Sequence, residues 1–261
     1  MKIVAIANQK GGVAKTTTAI NLGAALAERG QSVLLIDMDP QGNASTGLGI
    51  APDQRDDSSY DLLLGDSLAA DIAQETRTPG LWIVPATTAL SSTDVELHSA
   101  ARRAYHLRNR LNLDQGLSRR FQTVLIDCPP SLNLLTVNAL VAAHSVLIPL
   151  QSEFFALEGL SQLMLTIRDI RQTANPRLRV EGVLLTMHDP RNNLAQQVER
   201  DARETLGELV YRTVIPRNVR LSEAPSHALP ALVYDPESKG ALAYRALATE
   251  FLAANSTGAS A

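Results

Sequence analysis

The chain has 261 residues, 45% of them hydrophobic and 20% charged, ordinary figures for one well-buried globular domain. A net charge of −3 excludes a generally basic, nucleic-acid-coating protein but leaves room for a local basic patch. The single cysteine, Cys128, excludes an internal disulfide framework and a self-contained cysteine-rich metal or cluster site.

The first predicted element is the apolar run Ile3–Ala7, a short buried strand. Asn8-Gln9-Lys10-Gly11-Gly12-Val13-Ala14-Lys15-Thr16-Thr17-Thr18 follows, and then Ala19–Arg29, whose apolar residues keep one face at helical spacing. Strand, glycine loop, then Lys-Thr opening a helix is what a phosphate cradle needs. The glycines let backbone N–H groups approach phosphate oxygens, and the helix start adds the positive end of its dipole. In that reading Gly11, Gly12, Val13, Ala14 and Thr17 wrap the phosphates. Lys15 pairs with the β- and γ-phosphates, and the Thr16 hydroxyl holds Mg²⁺. The ordinary pattern wants glycine where Gln9 and Ala14 stand, and here a second lysine, Lys10, precedes the glycine pair.

Val33–Asp37 is the next strand, and Asp37 and Asp39 end it at alternate positions before Pro40 and Gly42 turn the chain. One aspartate at a strand end is usually a turn-former; two beside a phosphate loop point to metal and water chemistry. Leu81–Val84 and Thr123–Cys128 are further strands, the latter ending in Asp127, placed to hold Mg²⁺ commonly through a water. Pro129 and Pro130 stop that strand, Ser131 is the expected cap of a helix over 131–143, and Cys128 is expected to pack quietly. Strands over Ser145–Leu150, Val180–Met187 and Val210–Ile215 alternate with helices over Ala156–Thr173, Leu194–Leu206 and Lys239–Ala253. The fold expected is an α/β P-loop NTPase: a mostly parallel twisted sheet with helices on both faces, and ligand beyond the carboxyl ends of the strands. Residues 1–254 form one ATPase domain, and 255–261 a frayed polar tail. No apolar run reaches transmembrane length, and the first strand starts almost at Met1, so the cytoplasm is the expected compartment.

Lys-Gly-Gly-x-x-Lys-Thr at 10–16 resembles the deviant Walker A box of ParA/MinD-class ATPases, and Asp-Met-Asp-Pro-Gln-Gly-Asn at 37–43 resembles the matching segment of ParA/Soj proteins. So do Gln151–Gly159, Leu184–Leu194 and Val214–Ser226, which carries Ile-Pro-Arg-Asn. The resemblance implies ATP and Mg²⁺ as cofactors, Asp39 orienting the attacking water, Asp37 supporting the magnesium region, and Pro216 and Asn218 against the adenine. It implies that Lys10 reaches the nucleotide of a partner subunit in an ATP-sandwich homodimer, acting like an arginine finger beside Lys15. Further implications are a ParB-type protein that stimulates slow hydrolysis, and non-specific double-stranded DNA bound through Arg191, Arg217, Arg220 and Lys239. The protein would then sit on the nucleoid, serving chromosome or plasmid partition. The family usually has glycine where Ala14 stands. An alanine forced to positive φ there would cost on the order of 1–2 kcal/mol.

Two other readings carry their own expectations. A MinD-like ATPase that positions cargo by cycling on a membrane needs a basic amphipathic end helix. The helix at 241–252 has one arginine and one glutamate, so no membrane is expected. A metabolic P-loop enzyme or iron-protein-type reductase needs substrate or cluster ligands, and one cysteine disfavours the cluster. No helix-turn-helix precedes residue 1, so sequence-specific operator binding is not expected. Six arginines at 102, 103, 108, 110, 119 and 120 read as a solvated helical face.

Overall fold

Strands of continuous Val, Ile and Leu can be buried only if both faces of their sheet are covered, and that is how this chain folds. The computed structural model describes residues 1–98, 102–153 and 156–256. The strands are β1 (Lys2–Ile6), β2 (Val33–Asp37), β3 (Gln74–Glu75), β4 (Leu81–Val84), β5 (Thr123–Asp127), β6 (Ser145–Gln151) and β7 (Arg179–Thr186). They form one sheet in the order β3-β4-β2-β5-β1-β6-β7, parallel throughout except for the two-residue edge strand β3. The longer helices are α1 (Lys15–Ala27), α2 (His106–Leu113), α3 (Leu134–Ala142), α4 (Ala156–Thr173), α5 (Asn193–Leu206) and α6 (Lys239–Ser256).

Alternate residues of each strand feed two separate apolar cores. Ile3, Ala5, Leu34, Ile36, Val124, Ile126, Val146 and Ile148 pack under α2, α3 and α4. Val4, Ile6, Val33, Leu35, Leu125 and Leu147 pack under α1 and α6, where Tyr244 and Phe251 are fully buried. The pairing register puts Ile6 and Asp37 both opposite Asp127, so three strands end level at the middle of the sheet. That shared edge carries the functional residues.

Two expected elements differ. Val210–Ile215 is not a regular strand: it meets β7 in a single bridge at Val183–Val210, with a second bridge, His188–Pro216, just past the ends of both segments. The reason lies in α6, whose Glu250 carboxylate accepts the Arg212 and Thr213 N–H groups at 2.7 and 3.0 Å and draws them off the ladder. The helix expected from Ser131 starts at Leu134, because Asn133 accepts the Thr136 N–H at 3.2 Å and caps it. α6 runs through Ser256, so the start of the expected tail is helical; 257–261 lie outside the described residues, as do Phe154 and Phe155 of the Gln151–Gly159 segment. The arginine face is also less solvated than its charge suggests. Arg120 lies 3.9 Å over the Trp82 ring, Arg108 donates to the Ala174 carbonyl at 3.1 Å, and Arg110 pairs with Asp66 at 3.0 Å.

Candidate functional site

Between β1 and α1 the loop is tied down before it reaches its glycines. Asn8 donates to the Pro149 carbonyl at 2.7 Å and accepts the Lys10 N–H at 3.0 Å. Gly12 then takes φ +74°, and a Cβ placed on it would meet nothing within 4 Å, so its conformation rather than crowding calls for glycine. Ala14 also sits in the left-handed region, at φ 67° and ψ 33°, as the residue from which α1 springs. Val13 is buried, and its carbonyl accepts the Thr186 hydroxyl at 3.1 Å, pinning the loop to the end of β7.

Gly11, Gly12, Ala14, Lys15, Thr16 and Thr17 line a cavity of about 580 Å³, and Asp39 lines it too. Lys15 is buried, with its ammonium donating to the Lys10 carbonyl at 2.9 Å; burial lowers its pKa, against the pull of Asp127, Cys128 and Asp39. Asp127 is fully buried, and among the described residues neither of its carboxylate oxygens has a hydrogen-bond partner. Burial, reinforced by the neighbouring Asp37, pushes its pKa well above the usual carboxylate range, with Thr16 and Lys15 opposing. An orphaned buried carboxylate beside a lysine and a threonine is a good fit for a hydrated divalent cation bound to phosphate.

Asp37 is fully buried at the end of β2. Its oxygens are taken up by the Ser45 N–H and hydroxyl at 2.9 and 2.7 Å and by the Asp39 N–H at 3.1 Å. Burial raises its pKa to about 6, with those hydrogen bonds opposing. These bonds tie Asp37 to the segment after β2. Asp39, only 8% exposed, keeps one oxygen on the Gln41 N–H at 3.0 Å and faces the cavity.

A second cavity of about 270 Å³ adjoins the first through Ala14, Thr17 and Met187, and Pro216 and Asn218 are among its lining residues. Asn218 also caps the turn of helix at Val219–Glu223, accepting the Arg220 N–H at 2.8 Å. Met187, at φ 51°, touches both cavities and was not singled out from the sequence; a strained residue at a strand end has no pattern to announce it. Cys128 is buried and its thiol pKa is pushed up by burial, in keeping with a packing role.

Lys10 does not line either cavity. Its ammonium is ion-paired to Glu153 at the end of β6, with 40% of its side chain exposed. Of the four expected DNA contacts, Arg191 is clamped by Asp189 at 2.9 and 3.0 Å, and its hydrogen bonds hold that carboxyl at about 2. Arg220 is held by Glu223 at 2.7 Å and Asp235 at 3.1 Å. Arg217 lines the second cavity and Lys239 is exposed at the start of α6, so the four do not form one unneutralised patch.

The fold and this meeting of lysine, threonine and buried carboxylate are those of a P-loop nucleoside triphosphatase. A family model described as an AAA domain matches residues 1–180. The chromosome partitioning protein ParA of Caulobacter vibrioides is 56% identical over 252 residues, 97% of this chain and 94% of that protein. The chromosome-partitioning ATPase Soj of Treponema pallidum is 46% identical over 252 residues, 97% of each chain. Among solved structures, a cobyrinic acid a,c-diamide synthase from Mycobacterium smegmatis with bound ATP analogue and magnesium superposes with a TM-score of 0.84 at 40% identity, covering 99% of this chain and 97% of that one. The chain belongs to the ParA/Soj family of chromosome-partitioning ATPases.

Proposed function

We propose that this chain is an ATP-driven partitioning switch: ATP binding joins two copies face to face and creates a non-specific DNA-binding surface, and hydrolysis, stimulated by a ParB-type protein, resets them. The observation that carries this reading is the position of Lys10. A lysine needed for its own chain's phosphates would point into the cavity beside Lys15. Lys10 instead stands on the outer lip, half-exposed and paired only to the carboxylate of Glu153, free to be exchanged for a nucleotide across an interface.

Within the pocket, Lys15 and the backbone of Gly11 to Thr17 bind the phosphates, and Thr16 and Asp127 hold Mg²⁺. Bound Mg²⁺ neutralises charge that develops on the transferred phosphoryl group. Asp39 orients the attacking water, Asp37 shapes the segment that carries Asp39, and Pro216 and Asn218 support the base. DNA contact falls first to Lys239 and Arg217, with Arg191 and Arg220 held in exposed ion pairs that a phosphate can displace, and it weakens steeply with salt.

The MinD-like membrane reading is less well supported. No helix among the described residues is long and apolar enough to cross a membrane, and the apolar face of α6 is already packed on α1 through Tyr244, Leu247 and Phe251. Co-sedimentation with DNA and with anionic liposomes, each with ATP, tests the choice. ATP-dependent recovery with DNA alone is expected, and recovery with liposomes alone would replace this reading.

A further inference from the structure

Arg55 is the one arginine among the described residues that is under a tenth exposed, at 8%. A guanidinium taken out of water ordinarily demands a carboxylate, yet none lies within ion-pairing distance of it among the described residues. Its fork is satisfied by neutral oxygens instead. Nε and Nη2 donate to the Ile50 carbonyl at 3.2 and 2.7 Å, Nη1 to the Ala86 carbonyl at 3.1 Å, and Nη2 to the Thr46 hydroxyl at 2.8 Å.

Those acceptors surround a single piece of chain. Thr46 belongs to the short helix Asn43–Gly47, which follows the Asp39 turn, and Thr46, Asn43 and Asp39 line the phosphate cavity together. Ala86, just beyond β4, is gripped from both sides: its carbonyl by Arg55, and its N–H by the Ser45 hydroxyl at 2.9 Å, which itself donates to Asp37. Gly42, at φ +62°, closes the turn through its N–H to the Asp39 carbonyl at 2.9 Å. A Cβ on Gly42 would overlap Nη1 of Arg55 and crowd the Ala86 carbonyl at 3.2 Å. The guanidinium thus sits close against Gly42, in the turn that carries Asp39.

We infer that Arg55 is a positioning residue for ATP hydrolysis: it braces the Asp39–Gly47 segment against the end of β4 and so fixes where the Asp39 carboxylate stands in the cavity. Several divergent acceptors need a rigid planar fork, which lysine lacks. None of the acceptors is on the phosphate loop, whose Gly11, Gly12, Lys15 and Thr16 line the cavity independently of Arg55. The inference rests on the proposed role of Asp39 in handling the attacking water.

The test compares Arg55→Lys, Arg55→Met, Gly42→Ala, the double variant and Asp39→Asn. ATP affinity is measured by titration with a fluorescent ATP analogue, and hydrolysis as the single-turnover rate per bound ATP. A purely structural role would lower the melting temperature and the bound fraction but leave that rate unchanged. Misplacing a catalytic group by an ångström slows chemistry steeply. We therefore expect affinity within about threefold of the parent and single-turnover rates at least roughly tenfold slower for Arg55→Lys and Arg55→Met. Gly42→Ala keeps the arginine while its Cβ would overlap Nη1, and it is expected to slow the parent; the double variant is expected to be no faster than Arg55→Met. Parental rates per bound ATP in the Arg55 variants would overturn the inference. Parental turnover by Asp39→Asn would instead overturn the reading of Asp39 itself, whatever the Arg55 variants do.

Discussion

Lys10 and Glu153 are ion-paired within one chain while their side chains stay 40% and 46% exposed. A pair so open to water is worth on the order of 0–1 kcal/mol, so it holds Lys10 in place without binding it firmly. Lys10→Ala should therefore change thermal stability by less than about 1 kcal/mol and abolish ATP-dependent self-association. Retained dimers of that variant with ATP, seen by light scattering, would remove Lys10 from the interface.

Asp39 faces the phosphate cavity, and among the described residues its carboxylate hydrogen-bonds the Gln41 N–H and neither Lys15 nor the glycine loop. Asp39→Ala is expected to bind ATP within about threefold of the parent and to lose hydrolysis by at least roughly a hundredfold. Steady-state phosphate release beside nucleotide titration reads both, and persistent turnover would assign the water to another group.

Asp127 has two buried oxygens with no partner among the described residues, and its pKa is raised from 3.8 by burial first and Asp37 second. For a carboxyl raised on folding, the contribution to stability is fully present below the unfolded value and is lost as pH rises through the folded one. Asp127→Asn should therefore match the nucleotide-free parent near pH 4 and exceed it increasingly above, by on the order of 1–3 kcal/mol at neutral pH. It should also lose Mg²⁺-dependent ATP binding. Denaturant melts at several pH values check the first point; a stability difference that shrinks with rising pH would contradict it.

Ala14 occupies φ 67°, where a Cβ costs roughly 1–2 kcal/mol. Ala14→Gly removes that strain and should stabilise the protein by about 1 kcal/mol once the extra freedom of the unfolded glycine is subtracted. ATP affinity should rise with it, because the loop no longer has to be held against its preference. A less stable glycine variant with unchanged affinity would show that the loop carries no such strain.

The strands and the glycine loop were legible because their signals are local. Val33–Asp37 and Leu81–Val84 form as expected, and Asp37 and Asp127 arrive side by side because parallel neighbours end level. What stayed hidden depends on partners far along the chain. Glu250 takes the N–H groups that would have made Val210–Ile215 a strand, and Ser45, which has no motif of its own, ties Asp37 to the segment after β2. Arg55 lies in a polar stretch that reads as surface, yet it is buried by contacts with Thr46, Ile50 and Ala86. The paired state of Arg191 and Arg220 was equally hidden, since a positive residue in a sequence does not show the acid beside it.

The most direct test of the switch is the molecular mass of the full chain by light scattering with ATP and Mg²⁺, with ADP and Mg²⁺, and without nucleotide. The account predicts a mass twice that of the 28.1 kDa chain with ATP alone, and the single-chain mass in the other two conditions. A single-chain mass in all three, under conditions where ATP binding is saturated, would contradict it.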